Sequence, residues 1–248
     1  MNTPSWNTST TEHYIFHYLP NSYAEQELGH IMELQEYCYG SIINALNVTG
    51  LPFPIEYFLY ESPESVGECY SKYHPDEPVE PCNGFANPPN QIHAVYNQNI
   101  HCTGYHEDVH IIARHHLGHP ANHFIREGLA MYFDDVWWGL PNKLWLKLFV
   151  TQKEYPGLSC LFDNKQFEEL PSRITYPTGG AFTEYVIRQY GQKIFCELYR
   201  TMERFPVETS ILNVLGVDLQ ELDAEFIKSV RFLDYAPALY QVARERAK

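Results

Sequence analysis

The sequence predicts an α+β protein, with a small mixed sheet in the N-terminal half and an all-helical C-terminal half. In the first half, short aromatic and apolar runs bounded by Pro and Gly alternate with helical patterns, which favours strands joined by helices. Beyond Gly104 the apolar residues recur at three- and four-residue spacing, which is typical of helices. We place the boundary after the helix that ends at Gly118, so the predicted subdomains are residues 1–118 and 119–248.

Strands and helices alternate in the predicted N-terminal half. A long amphipathic helix is predicted over 22–47, and a short helix begins at Pro63 with Ser62 as its cap. The proline-rich stretch 72–90 is predicted as a loop. The predicted strands are 12–20, 54–61 and 91–97.

The C-terminal half contains apolar patterns of helical period, separated by Gly and Pro. The first predicted helix carries the motif "HEDVH" and ends at Gly118, and the second begins at Pro120 and ends at Gly139. A later helix is expected to begin at Pro177, in the turn-like stretch "PTGG". The remaining predicted helices are 141–152, 192–202, 218–233 and 236–247.

Composition and charge exclude several classes of function. Hydrophobic residues make up 44% of the chain, which is enough for a sizeable core. The formal charge of −14 argues against binding to nucleic acid or to an anionic membrane surface, since both require clustered Lys and Arg. No transmembrane run or signal peptide is visible, so the expected location is cytoplasmic. A secreted protein is the alternative if a signal has been removed.

The six cysteines form no CxxC pair, which disfavours a structural zinc ribbon. Cys38 and Cys196 fall in helical patterns and are predicted to be small core residues. Cys69 and Cys82 flank the proline-rich stretch. They could pair in an oxidising compartment, whereas the cytoplasm would keep them reduced.

The stretch "GYHEDVH", residues 104–110, contains an HExxH motif. On a helix, His106 and His110 lie one turn apart on the same face and can direct two imidazoles at one metal ion. Glu107 lies beside that face and can reach a metal-bound water. More histidines follow in "RHHLGHPANH", where polar loop residues are favoured over a second metal site.

A catalytic zinc site needs a third protein ligand and an open fourth position. The best candidate is Glu127 in "FIREGLAMYF", which lies 17 residues after His110. The other face of its helix is apolar, so a turn at "LGHP" is expected to bring this helix back alongside the first. The sequence therefore predicts a zinc ligand set of His106, His110 and Glu127.

The combination of "HEDVH" with "FIREGLAMYF" resembles the gluzincin branch of the HExxH metallopeptidases, the peptidase MA clan. The resemblance covers roughly residues 84–232, including "GFANPPNQIHAVYN", which is similar to the edge strand before the catalytic helix. It implies a zincin-like fold, one zinc ion per chain with Glu127 as third ligand, and a peptide or protein substrate.

The implied reaction is hydrolysis of a peptide bond by zinc-activated water, with Glu107 as the general base. Family members commonly stabilise the oxyanion with a Tyr or His, and Tyr176 is the candidate here. Asp134 is a candidate for orienting a ligand histidine. The alternative is that it is a solvated carboxylate at the end of a helix. The residues that compete with Tyr176 are His115, His116, His123 and Tyr185.

Two departures from better-known members narrow the expected activity. No Gly-x-Met-Glu-Asn stretch precedes the motif, which disfavours an aminopeptidase of that type, and Met131 occupies a position where members often have Asp. Two alternatives to a peptidase are a zinc hydrolase of another amide and a catalytically idle, metal-stabilised binding protein. Glu107 argues against the idle protein, because a structural site does not need that carboxylate.

Overall fold

The computed structural model describes residues 5–246. Contacts divide the chain into two compact units, one that ends at His116 and one that begins at Leu117. Helix predominates and the sheet is small, which confirms the α+β prediction. The predicted end of the last helix at Ala247 lies outside the described residues.

The first unit is built on a five-stranded sheet with the order β1-β2-β3-β5-β4. Its three central strands run parallel, and each edge strand is antiparallel to its neighbour, so the sheet is mixed, as predicted. Residues alternate between buried and half-buried along β2 and β3, because successive side chains point to opposite faces. The strands are β1 (Asn7–Thr10), β2 (Tyr14–Tyr18), β3 (Ile55–Tyr60), β4 (Gly84–Asn87) and β5 (Gln91–Val95).

The hydrophobic pattern of the sequence predicted neither of the two edge strands. Prolines surround β4, and the proline-rich pattern predicted a loop there. The family resemblance, in contrast, predicted an edge strand in this segment. Pairing with β5 stabilises it, with Phe85 opposite His93. Edge strands are short and polar, so tertiary pairing decides them more than the local pattern does.

Stacked rings cross four strands on one face of the sheet. His17 stacks on Phe58 with ring centroids 4.2 Å apart, and Phe58 stacks on His93 at 4.7 Å. His93 stacks in turn on Phe85 at 4.7 Å. The register places these residues directly opposite one another, so the rings reinforce the strand pairing.

Three helices and all but the last residue of a fourth complete the first unit. The predicted long helix is divided at Glu27 into a short α1 and a long α2, whose buried residues include Ile31, Gln35 and Ile42. The cap of α3 is Ser62, as predicted, since its side chain accepts a hydrogen bond from the Ser65 N–H. The four helices are α1 (Tyr23–Gln26), α2 (Leu28–Leu46), α3 (Pro63–Tyr73) and α4 (His106–Leu117).

The second unit is helical around a core of packed phenylalanines. Phe182 lies 5.4 Å from both Phe124 and Phe226, measured between ring centroids. Its longer helices match the predicted ones, whereas the short α7, α8 and α11 were not predicted. The helices are α5 (His123–Asp134), α6 (Asn142–Gln152), α7 (Leu158–Leu161), α8 (Asn164–Glu169), α9 (Ser172–Tyr190), α10 (Gln192–Thr201), α11 (Val207–Leu215), α12 (Leu219–Arg231) and α13 (Pro237–Arg246).

The prediction that this half is all-helical was wrong at one place. The helix expected to reach Gly139 ends at Asp134, and a small hairpin follows, formed by β6 (Val136–Trp137) and β7 (Leu140–Pro141). The two loop residues between them, Trp138 and Gly139, both have positive φ. That conformation suits a two-residue hairpin loop, which is why the helix stops before it.

The "PTGG" stretch was predicted to start a helix, but it lies inside α9. Its glycines serve close packing. A Cβ added to Gly179 would lie 2.9 Å from the Cα of Gly128 in α5, and one added to Gly128 would lie 2.8 Å from the Gly179 carbonyl oxygen. The two helices therefore meet backbone to backbone, and this close contact explains glycine inside a continuous helix.

Within residues 5–246, no helix has the length and apolar character required to cross a membrane.

Candidate metal site

The HExxH motif lies in the first turns of α4, which begins at His106. The rings of His106 and His110 are 5.1 Å apart between centroids and nearly perpendicular, with an interplanar angle of 81°. Both side chains are half-buried. One helical turn therefore presents two imidazoles side by side, as the four-residue spacing predicted.

Glu127 lies in the second turn of α5. The side chain of Asn122 caps this helix by accepting a hydrogen bond from the Ile125 N–H. Gly128 is buried against Gly179, whereas Glu127 beside it is half-buried. Close packing of α5 on α9 thus fixes the helix that carries this carboxylate.

The structure brings together the ligand atoms of His106, His110 and Glu127, which all lie within 4.8 Å of one another. Two imidazole nitrogens and one carboxylate oxygen match the donors of three-ligand metal sites with an open position. This group could hold a metal ion. No second group of three such side chains was found in the described part of the chain, which includes the histidine-rich stretch after the motif.

Glu107 directs its carboxylate toward the edge strand β4. Its Oε1 lies 3.4 Å from the position that a Cβ on Gly84 would occupy. Burial, with a smaller contribution from the negative charge of Glu107, raises the pKa of Cys102 to about 11. The same two effects raise the pKa of Cys82. Glu107 is therefore a half-buried carboxylate beside two thiols that stay protonated at neutral pH.

Tyr176 is a half-buried residue of α9 and shares a pocket with Glu127. The pocket has a volume of about 410 Å³ and is also lined by Arg126 and Phe167. The Tyr176 ring lies 5.4 Å from Trp137 and 6.4 Å from Phe167, between centroids. Its hydroxyl is thus a candidate donor near Glu127, and its catalytic role stays a prediction.

The competing residues have varied surroundings. His115 is exposed and packs edge-on against Phe53 with centroids 5.6 Å apart. His123 lies in the Tyr176 pocket, and its Nδ1 is 3.3 Å from Glu168. Tyr185 packs on Phe226 in the core of the second unit. His123 is therefore the competitor that shares the pocket of Glu127.

A buried polar network behind the motif was not predicted. Asp108 is fully buried, and its Oδ2 lies 2.5 Å from the Tyr14 hydroxyl and 3.0 Å from Gln35 Nε2. Burial raises the pKa of Asp108 well above its ordinary range, although the Tyr14 hydrogen bond opposes this. One signal was available: Gln35 falls among the apolar positions of the predicted long helix, at a spacing that places it on the core-facing side.

None of the six cysteines, which all lie within residues 5–246, forms a disulfide. Cys38 and Cys196 are buried, as predicted. Cys69 lies 3.5 Å from His93 Nδ1, and the Cys82 thiol donates to the Gly84 carbonyl. The Cys69–Cys82 disulfide, one of the two predicted alternatives, is therefore not formed.

Comparison of the chain with protein-family models and with curated proteins found no match. The resemblance to gluzincins therefore stays a prediction from the sequence.

Proposed function

We propose that the protein is a zinc-dependent peptidase of gluzincin type. One observation carries the proposal: two histidines and a glutamate converge within 4.8 Å, and the first histidine is followed by a carboxylate that does not belong to the ligand set. Zinc accepts nitrogen and oxygen ligands of this kind, and three protein ligands are typical of its catalytic sites.

The ligand set suits zinc among the common metals. Imidazole favours zinc and the later transition metals, whereas magnesium and calcium prefer sites composed of oxygen ligands. When bound, zinc lowers the pKa of a coordinated water toward about 7 and polarises a substrate carbonyl. The residues of this chain supply the remaining chemistry.

Glu107 is the proposed general base. It accepts a proton from the attacking water and delivers it to the amine that leaves, so one carboxylate serves both proton transfers. Its carboxylate is half-buried and lies next to Gly84 at the sheet edge. The Tyr176 hydroxyl is proposed to donate a hydrogen bond to the developing oxyanion.

The decisive experiment compares the wild type with Glu107→Gln by metal analysis and by digestion of a peptide library. The variant is expected to keep one zinc per chain and to lose cleavage, because the amide cannot accept the proton. Glu33→Gln is the matched control, since Glu33 is an exposed glutamate of α2, and it should retain both properties.

Each contrary result has a distinct meaning. A wild-type protein that binds no stoichiometric metal would refute the metal site. A wild-type protein that binds zinc but cleaves no peptide would refute the peptidase and favour either a hydrolase of another amide or a metal-stabilised binding protein.

A further inference from the structure

We propose that Gln35, together with Tyr14 and Asp108, is a positioning element that holds the first turn of α4 in the orientation required for metal binding. The inference rests on the proposed function only through the metal site, and it does not depend on the substrate.

Gln35 forms hydrogen bonds to the segment leading into α4 and to its first turn. Its side chain is fully buried, and its Oε1 accepts a hydrogen bond from the Gly104 N–H at 2.7 Å. Its Nε2 donates to the Gly104 carbonyl at 3.1 Å and to Asp108 Oδ2 at 3.0 Å. One side-chain amide therefore binds both backbone groups of Gly104, two residues before the helix begins.

The backbone at Gly104 makes this clamp specific. Its φ of +129° lies in a region that side-chain-bearing residues rarely adopt. The chain therefore enters α4 through a turn that only glycine forms easily. Gln35 satisfies the donor and the acceptor of that turn, which fixes where the helix starts.

Tyr14 contacts the same carboxylate from the central part of the sheet. Its hydroxyl lies 2.5 Å from Asp108 Oδ2 and 3.1 Å from the backbone carbonyl oxygen of Gln35. Tyr14 is fully buried in β2, and Gln35 belongs to α2. A strand and a helix of the first unit thus converge on one side chain of the motif helix.

Asp108 lies two residues from each ligand histidine. At 100° per residue it projects about 200° away from both, so it occupies the opposite face of the helix. The network therefore holds the back of the turn whose front carries His106 and His110. A rotation of α4 about its axis would break the contacts at the back and displace both imidazoles together.

A metal site tolerates little displacement of this kind, since productive constellations are held to within about 0.5 Å and 10–20°. Loss of a hydrogen bond to a metal ligand typically weakens metal binding by about 10–100-fold, and loss of the contacts that orient the whole turn should act in the same direction. A network that only stabilised the core would give a different result. Its loss would lower the stability of the protein and leave the affinity of the folded protein for zinc unchanged.

The test measures Zn²⁺ affinity by chelator competition and the visible spectrum of the Co²⁺-substituted protein, using the full chain. Gln35→Met and Tyr14→Phe are expected to weaken Zn²⁺ binding by about 10-fold or more and to alter the Co²⁺ bands. Tyr39→Phe is the matched control. Tyr39 is also a buried tyrosine, but its hydroxyl accepts a hydrogen bond from the Leu51 N–H, which does not belong to the network.

The control should keep wild-type affinity and an unchanged Co²⁺ spectrum, even if its stability falls. Unchanged affinity in Gln35→Met and Tyr14→Phe would overturn the proposal, and so would an equal loss in Tyr39→Phe. If Gln35→Met does not fold, Tyr14→Phe decides, because it removes a single oxygen. No readout uses a peptide, so a protein that binds zinc without cleaving would refute the peptidase and leave this inference standing.

Discussion

Adjacent carboxylates in α4 have different surroundings. Glu107 is half-buried next to Gly84, whereas Asp108 is fully buried among Tyr14 and Gln35. The helical rotation of 100° per residue separates them, so neighbouring acids face the sheet edge and the core. The sequence shows two acids in a row, and only the packing of α4 in the first unit assigns them different environments.

Glu127, the proposed third ligand, provides the most direct test at the residue scale. Glu127→Ala removes one of three donors and is expected to lower zinc affinity by at least about 100-fold, more than loss of an outer partner costs. Glu168→Ala is the control, because Glu168 lines the same pocket without belonging to the metal group. Isothermal titration with zinc measures both, and equal affinities would exclude Glu127 as a ligand.

His93 predicts a pH dependence of stability. Burial lowers its pKa from about 6.5 to about 4, and only 2% of the residue is exposed. The unfolded chain therefore binds the proton more readily. The stabilisation is complete above pH 6.5 and is lost as the pH falls toward 4, by up to about 3 kcal/mol at 1.36 kcal/mol per unit.

Urea unfolding of His93→Phe between pH 4 and 7 tests this expectation, since phenylalanine can take the place of His93 among the stacked rings of the sheet without titrating. Its free energy of unfolding should depend less steeply on pH than that of the wild type. Phe58→Leu disturbs the ring stacking without removing the imidazole. This variant should therefore lose stability but keep the wild-type pH dependence of the free energy of unfolding. An unchanged slope in His93→Phe would show that another group titrates.

At the scale of elements, the contact between α5 and α9 determines where the Glu127 helix lies in the second unit. Gly128 and Gly179 leave no room for a side chain at their crossing, because the nearest atoms are backbone. Backbone atoms cannot move aside as a flexible side chain can. The residue next to Glu127 is therefore required for packing rather than for chemistry.

Gly128→Ala is expected to destabilise the second unit by about 1–3 kcal/mol, the usual cost of overpacking. It should also weaken zinc binding, because α5 must shift. Gly40→Ala is the matched control, since Gly40 lies inside α2 with nothing within 4 Å of an added Cβ. That variant should gain up to about 1 kcal/mol from helix propensity. Thermal melts with and without zinc measure both effects.

Elements with strong periodicity could be predicted from the sequence, and those decided by distant contacts could not. The long α2 and the motif helix α4 follow from their three- and four-residue patterns. Strand β4 depends on pairing with β5, and the glycines of α9 depend on Gly128, so neither has a local signal. The two candidate histidines were identifiable because their spacing is local, and Glu127 because the apolar pattern of its helix predicted packing beside the motif helix. The network around Asp108 joins residues far apart in the chain.

For the whole molecule, the charge of −14 complicates any test with a divalent ion. An acidic surface attracts cations without a defined site, and that attraction is weak and screened by salt. A specific metal site behaves differently, because its affinity depends on particular side chains and on the chemistry of the ion.

Removal of metal should therefore lower the melting temperature. Zinc present at about 1,000 times its dissociation constant adds about 4 kcal/mol, which a chelator should abolish. Magnesium at the same concentration should have little effect, because it prefers oxygen ligands. His110→Ala should eliminate the zinc shift. The exposed His115 on the same helix offers a control, and His115→Ala should retain the shift if the site is as proposed.

The backbone contact between Gly128 and Gly179 also constrains how this chain can diverge. A larger residue at either position collides with the other helix, so neither can drift alone and both should remain small in descendants of this sequence. Gly40 has open space around it and is free to vary. Small residues kept at positions 128 and 179, beside free variation at position 40, would therefore reflect the packing of α5 on α9, even in relatives that lack Glu107.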